Sequence, residues 1–164
     1  MGVRGGRWVI GALSVALVAL LVSIGLLVAS RDSVDEDLTA RQQEVAQAAR
    51  TEALAFLTVD HDDMDPLIDA VLAGATGDFA EQYESQRDML TSEVVRTGAT
   101  SSGEVVALGV GYVDDESANV VVAANSTVTN TSTGSEGQVR YYRLSLVLVR
   151  EGDRWLTSNL EFVR

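Results

Sequence analysis

The densest group of side chains able to do chemistry is an acidic run around the only histidine of the chain. The run consists of Asp60, His61, Asp62, Asp63 and Asp65. Carboxylate oxygens suit a divalent cation such as Ca²⁺, but the run lacks the central glycine and the final glutamate of a calcium loop. An acidic turn between two helices explains the same residues, with Asp65 as N-cap and Pro66 at the first helical position. We favour the turn, and cation binding by Asp60–Asp65 is left open.

Nucleophilic and cofactor chemistry find little support in the remaining residues. The chain has no cysteine, which excludes disulfides, thiolate metal sites and a cysteine nucleophile. No G-x-S-x-G motif is present, and no serine stands near His61 as a paired nucleophile. Gly109 and Gly111 fall inside a predicted strand, where they allow curvature rather than cradle a phosphate. We therefore predict a protein that is not an enzyme, with no catalytic, cofactor-binding or metal-binding residue assigned and no cofactor.

The charge of the chain is strongly one-sided. Its 164 residues include 24 acidic and 12 basic ones, and the net charge is −12. Nucleic acid is therefore excluded as a partner, because neutralising phosphates needs lysine or arginine on one face. Since 46% of the residues are nevertheless hydrophobic, we expect the apolar residues to be concentrated in one block and the charges in another.

That apolar block is residues 8–29, which carry no charged side chain. A helix of this length measures about 33 Å, enough to cross a hydrocarbon core of about 30 Å. A cleaved signal peptide is the less favoured alternative, because its apolar region is usually only about 7–15 residues long. Arg4 and Arg7 precede the block and acidic residues follow it, which predicts a cytoplasmic N-terminus. We predict a single-pass cell-membrane protein that contacts the lipid bilayer through residues 8–29.

The predicted boundaries are a cytoplasmic tail over residues 1–7, the transmembrane helix over 8–29, a spacer over 30–37 and an outer domain over 38–164. A helix from Asp35 to about Val59 opens this domain, and its first half is expected to project as a stalk. Its apolar stripe comprises Leu38, Val45, Ala49, Ala53 and Phe56. A short helix follows Pro66 and ends at Gly74, with Leu67, Ile68, Val71 and Leu72 facing inward.

A third helix is predicted from the segment Thr76–Phe79 to about Thr97. Gly77 allows the turn at its start, and Thr76 or Asp78 is expected to cap the free N–H groups. Its buried stripe is predicted to comprise Phe79, Tyr83, Met89 or Leu90, and Val94.

After Gly98, β-branched residues replace alanine, glutamate and glutamine, which indicates strands. Four strands are predicted, over Val105–Val113, Asn119–Asn130, Val139–Arg150 and Trp155–Val163. Trp155 is expected to be a core aromatic residue. The fold class predicted for the outer domain is α+β, with about three helices packed on a curved antiparallel four-stranded sheet.

Several segments in this order carry a resemblance to a known family. They are Leu57–Asp60, Thr76–Phe79 with Tyr83, Val128–Asn130, Arg140 with Arg143, and Gly152–Leu156 leading to Leu160. Together they resemble the actinobacterial Mce-associated membrane proteins. The resemblance implies a nuclear-transport-factor-like, cystatin-like cone, which is also similar to the inner-membrane scaffold subunit of type IV secretion machines.

The function implied by this resemblance is that of a non-enzymatic accessory protein that stabilises an Mce-type lipid or sterol transport complex. Its partners would be Mce transporter subunits or related envelope proteins. Two alternatives remain open: a cone domain that binds a lipid or small ligand, with or without enzymatic activity, and a scaffold subunit of a secretion system. The sequence leaves open the transported lipid, the partner subunit, the formation of homo-oligomers and the presence of a ligand cavity.

Overall fold

The computed structural model describes residues 39–133 and 136–163. The predicted cytoplasmic tail, transmembrane helix over residues 8–29 and spacer lie outside these residues, as does Leu38. Among the helices in the described ranges, none has both the length and the apolar character needed to cross a bilayer. The described residues from Arg41 onward belong to one compact unit, and the elements below build that unit.

Four helices and five strands make up the described part of the chain. The helices are α1 over residues 39–57, α2 over Asp65–Gly74, α3 over Gly77–Ser85 and α4 over Arg87–Thr97. The strands are β1 (Val59–Asp60), β2 (Thr100–Val113), β3 (Ser117–Thr129), β4 (Gln138–Glu151) and β5 (Arg154–Phe162). They form one antiparallel sheet in the order β1-β2-β3-β4-β5. The predicted α+β class is confirmed, whereas the predicted numbers of helices and strands are corrected.

The additional strand is β1, which pairs Val59 with Ser101 and Asp60 with Thr100. It forms because β2 begins at Thr100, five residues earlier than predicted, and so offers Thr100 and Ser101 as partners to the residues that follow α1. Two residues are too few for an alternating pattern to be visible in a sequence. The pairing with β2 therefore defines this strand.

The predicted third helix is two helices, because the backbone leaves the helical region at Gln86 (φ −99°, ψ 2°). Arg87 begins α4 and bonds both to Glu84 of α3 at 2.9 Å and to Asp69 of α2 at 2.6 Å. Through these ion pairs, Arg87 links the junction between α3 and α4 to α2. The predicted stripe is not fully buried: Met89 is 60% exposed, whereas its alternative Leu90 and the other stripe residues are half-buried, namely Phe79, Tyr83 and Val94.

The predicted side-chain caps of α2 and α3 are absent. Asp65 is the first residue of α2, and Met64 occupies the N-cap position without a side-chain hydrogen bond. Thr76 does precede α3, but its hydroxyl donates to Glu151 Oε1 at 2.5 Å rather than accepting from the helix. Gly77 has φ +56°, so the expected role of this glycine in the turn is confirmed.

One face of the sheet packs against α1 to form the core. The residues buried there are Val45, Ala49, Ala53 and Leu57 of α1, Ala118, Val120, Val122 and Ala124 of β3, Leu144, Leu146 and Leu148 of β4, and Trp155 of β5. The predicted stripe of α1 is thus confirmed at Val45, Ala49 and Ala53, and Phe56 is half-buried. Alternation along β3 and β4 places every second side chain on the opposite face, here called the outer sheet face.

Gly103 lies where β2 approaches α1, and we expect Gly103→Ala to destabilise the domain by about 1–3 kcal/mol. An added Cβ would lie 2.8 Å from Leu57 Cβ, a distance that forces the strand and helix apart. Gly109→Ala is the matched control, because it adds the same methyl group to the same strand with nothing within 4 Å. Urea unfolding of the full chain in a mild detergent measures the difference. Equal stability of the two variants would contradict this account of the packing.

Candidate functional site

The acidic run around His61 forms a turn after β1. The backbone N–H of Asp62 donates to Asp60 Oδ1 at 3.1 Å, and His61 Nδ1 lies 3.2 Å from Thr100 Oγ1. One ligand atom from each of Asp60, His61 and Asp62 can be chosen so that all three lie within 4.8 Å of one another. The contacts within the run are those of a partly exposed turn, the interpretation favoured from the sequence. Cation binding here stays open.

Glu52, in the middle of α1, is a buried titratable residue within the described part of the chain. Its side chain is only 2% exposed, and Oε1 has no hydrogen-bond partner. Because burial removes the carboxylate from water, it raises the pKa of Glu52 from 4.5 to about 8. The side chain is therefore mostly a neutral carboxylic acid at pH 7.

Glu52 lies on a groove of about 500 Å³, here called the Glu52 groove. Its lining comes from α1 (Glu44, Gln47, Ala48, Thr51 and Glu52), α2 (Ala70, Ala73 and Gly74) and the residues at the β4–β5 turn (Asp153, Arg154 and Trp155). Gly74 is needed at its position because a Cβ there would overlap Glu52 Oε2. The small side chains of α2 thus leave the space into which the carboxyl group fits.

Trp155 also lines the Glu52 groove. It is 7% exposed and belongs to the core, as predicted, but its indole Nε1–H has no acceptor. The Arg150 guanidinium lies 5.9 Å from the centre of the indole ring. Arg154 donates from Nη2 to the carbonyl oxygen of Ala73 at 2.5 Å. Two of the lining residues, Glu52 and Trp155, therefore each have a buried polar atom without a partner.

The sequence analysis missed Glu52, although a signal was available. Glu52 stands seven residues after Val45 and four before Phe56, so it occupies a position of the apolar stripe itself. A carboxylate on a stripe that packs against a sheet must be paired, neutral or part of a site. The residues that complete the groove come from α2 and the β4–β5 turn, and no local pattern connects them to α1.

Five aromatic rings form a second cluster at the end of α1, here called the aromatic cluster. Its members are Phe56, Phe79, Tyr83, Tyr142 and Phe162, and the centres of contacting rings lie 5.9–6.5 Å apart. Burial and the charge of Glu52 both raise the pKa of Tyr83. The cluster joins α1 and α3 to β4 and β5. A cavity of about 310 Å³ adjoins it and is lined by Ser126 and Arg140 among others.

The outer sheet face is the third candidate. Large side chains exposed on it include Val106, Val121, Val139 and Tyr141, the last of them 80% exposed. A groove of about 410 Å³ crosses this face, and its lining includes Ala123, Tyr141, Arg143 and Val163. An open face of an antiparallel sheet is usually polar. Exposed apolar side chains on such a face are typical of an interaction surface.

Comparison with known proteins identifies a family and a relative. A family profile described as "Uncharacterized protein Rv1363c/MT1408-like" matches residues 9–164. The relative is Rv1363c of Mycobacterium tuberculosis, which is 29% identical over 130 residues. That alignment covers 77% of this chain and 49% of the relative, so the chain spans about half the length of Rv1363c.

Solved structures with a similar fold include the periplasmic domain of DotI, with a TM-score of 0.59 and 15% identity over 73% of this chain and 92% of that one. CagV of Helicobacter pylori, a VirB8 homologue of a type IV secretion system, has a TM-score of 0.58 and 6% identity over 74% and 97%. A ketosteroid isomerase-like protein from Erwinia carotovora atroseptica has a TM-score of 0.51 and 20% identity over 73% and 92%. These similarities concern the fold alone, and they agree with the α+β architecture described above.

Proposed function

We propose that this chain, which belongs to the Rv1363c/MT1408-like family, is a non-enzymatic assembly subunit of a multi-protein complex in the cell envelope. The observation that carries this proposal is the outer sheet face, which exposes apolar side chains in a chain of net charge −12. Strong net charge keeps a protein soluble and separate, whereas an exposed apolar patch favours association.

The geometry of the outer sheet face suits a protein partner. Val121 and Tyr141 stand on neighbouring strands, and both project from the face that α1 leaves uncovered. Tyrosine is enriched in interfaces because its ring buries a large apolar area and its hydroxyl still finds a polar contact. Arg143 adds a positive charge beside the groove. The proposed partner is another subunit of the complex that presents an apolar surface with acidic residues at its rim.

The kind of complex is the finer part of the proposal. The similarity to DotI and to CagV supports a scaffold of the secretion or conjugation type, because CagV is a VirB8 homologue of a type IV secretion system. Association with an Mce-type lipid transporter, expected from the sequence resemblance, has no support among these comparisons and stays a prediction. The proposed location is the cell membrane, with residues 8–29 as the anchor, the N-terminus in the cytoplasm and the domain outside.

We expect a photo-crosslinking amino acid at position 141 to capture the partner subunit in the native host. The full chain carries benzoylphenylalanine in place of Tyr141, and a second version carries it in place of the exposed Asp88 of α4 as the control. Irradiation should give one product of defined mass from position 141 and none from position 88, and mass spectrometry identifies the attached chain.

The identity of the captured chain decides between the versions of the proposal. Peptides from a secretion or conjugation subunit would support the scaffold role, and peptides from an Mce subunit would support the transporter role instead. The proposal of an assembly subunit fails if position 141 captures no other protein, or captures the same proteins as position 88.

A further inference from the structure

We propose that the Glu52 groove is a binding site for an organic cation, an ammonium or guanidinium group that pairs with the Glu52 carboxylate. This inference does not depend on the proposed assembly function. It rests on the presence of the groove, on the unpartnered buried polar atoms of its lining residues Glu52 and Trp155, and on the charged residues at its rim.

Glu52 lines the groove and is itself almost completely buried. It is only 2% exposed, and its Oε1 lacks a hydrogen-bond partner. Leaving a buried polar atom unpaired is costly, so such atoms usually have a partner in the functional state. Gly74 leaves the room that Oε2 occupies, because a Cβ at this position would overlap that oxygen. The groove is therefore lined by a residue whose acceptor the described part of the chain leaves unpaired.

The charges around Glu52 favour a cation over an anion. The groups that face it are Glu44 on α1, Tyr83 on α3, and Asp153 and Arg154 at the β4–β5 turn, while the α2 wall contributes only alanine and glycine. Two of these groups are carboxylates. The guanidinium of Arg154 instead bonds the Ala73 carbonyl. An anionic ligand would meet the carboxylates of Glu44 and Asp153, whereas a cation would be attracted by both and also by Glu52 once it is deprotonated.

Trp155 sets a second requirement for the ligand. The indole Nε1–H is buried without an acceptor, so the ligand should carry an acceptor oxygen at some distance from its cation. An arginine or lysine side chain with its peptide carbonyl has this chemistry, and so has a small amine or guanidine that carries a hydroxyl or amide. The shared feature is the cation, and the choice of probe separates a peptide source from a small-molecule source.

Cation binding should be linked to deprotonation of Glu52, because only the carboxylate forms the ion pair. With the pKa of free Glu52 at about 8, the apparent affinity should increase about 50-fold between pH 6 and pH 8 and then level off. A neutral ligand would show the opposite trend or none, because it would need the protonated carboxyl group.

The experiment uses the full chain in detergent with Trp8→Phe, so that the indole N–H resonance of Trp155 is the one tryptophan signal. The probes are agmatine, Nα-acetylarginine amide and Nα-acetylcitrulline amide, the last being the neutral isostere of the second. We expect both guanidinium probes to shift the Trp155 resonance with the stated pH dependence, and the citrulline probe to bind at least 10-fold more weakly. Tighter binding of acetylarginine amide than of agmatine would indicate a peptide source, and the reverse a small-molecule source.

Three variants test the assignment to Glu52. Glu52→Gln keeps the shape of the protonated side chain and should abolish binding, and Gly74→Ala should do the same by displacing the carboxyl group. Glu81→Gln is the matched control, because it removes an exposed carboxylate of α3 that does not line the groove, and it should change the affinity by less than about 3-fold. The proposal is overturned if the guanidinium probes do not bind at pH 8, if Glu52→Gln binds them like the wild type, or if citrulline binds equally well.

Discussion

Glu52→Gln is expected to remove most of the loss of stability that the wild-type chain shows as the pH rises from about 5 to 8. The folded state holds the pKa of Glu52 at about 8, whereas in the unfolded chain it returns to about 4.5. Between these values the native state keeps a proton that the unfolded state releases, so stability falls as the pH rises. The full difference corresponds to roughly 3–5 kcal/mol above pH 8, and glutamine, which does not titrate, avoids it.

Urea unfolding of the full chain in detergent at half-unit steps from pH 5 to pH 9 measures this effect. The wild type and Glu52→Gln should be close in stability at pH 5 and should diverge steadily up to pH 8, with the variant more stable. Glu44→Gln serves as the control, since it removes an exposed carboxylate from the same helix and should follow the wild-type curve. Parallel curves for the wild type and Glu52→Gln would show that Glu52 is ionised in the native state at neutral pH.

The free energy of unfolding should also decrease at low pH, and this decrease has a different origin. The Tyr112 hydroxyl and the backbone N–H groups of Glu116 and Ser117 donate to the Asp114 carboxylate, and they lower its pKa to about 2. The stability from this group is present above the unfolded value of about 3.8 and is lost as the pH falls through 2. This loss should be the same in the wild type and in Glu52→Gln, so the two titrations are separable.

The order of helices and strands could be predicted from the sequence because its causes are local. The segment before Val59 is rich in strong helix formers, and the residues after Gly98 are β-branched and alternate in polarity. These preferences act within a few residues, so the predicted bounds of β2 through β5 lie within about five residues of the observed ones at each end. The buried stripe of α1 was visible for the same reason.

The features that the sequence did not reveal depend on tertiary contacts. The strand β1 exists only through its pairing with β2, and the break at Gln86 has no proline or glycine to mark it. The Glu52 groove combines side chains about a hundred residues apart in the chain. A stripe position occupied by glutamate was visible in the sequence, but only the packing of α1 shows that this residue is buried rather than turned to solvent.

Phe56→Ala is expected to destabilise the domain by about 2–4 kcal/mol, the second large effect. Its ring lies 6.5 Å from that of Phe79, 6.1 Å from Tyr83 and 6.0 Å from Phe162, so it occupies the centre of the aromatic cluster. Truncating a phenylalanine in a packed core costs about 3–5 kcal/mol, and the half-burial of Phe56 reduces that figure. The loss arises because one side chain connects α1 to both α3 and β5.

Tyr141→Ala is the matched control for Phe56→Ala, because it removes an aromatic side chain of similar size that projects into solvent from the outer sheet face. It should change the free energy of unfolding by less than about 0.5 kcal/mol, while it weakens association with the partner subunit. Urea unfolding gives the two stabilities, and amide hydrogen exchange should show the protection of α3 reduced in Phe56→Ala alone. If Tyr141→Ala proved the more destabilising of the two, α3 would not be held by the aromatic cluster, and the outer sheet face would contribute to folding rather than to association.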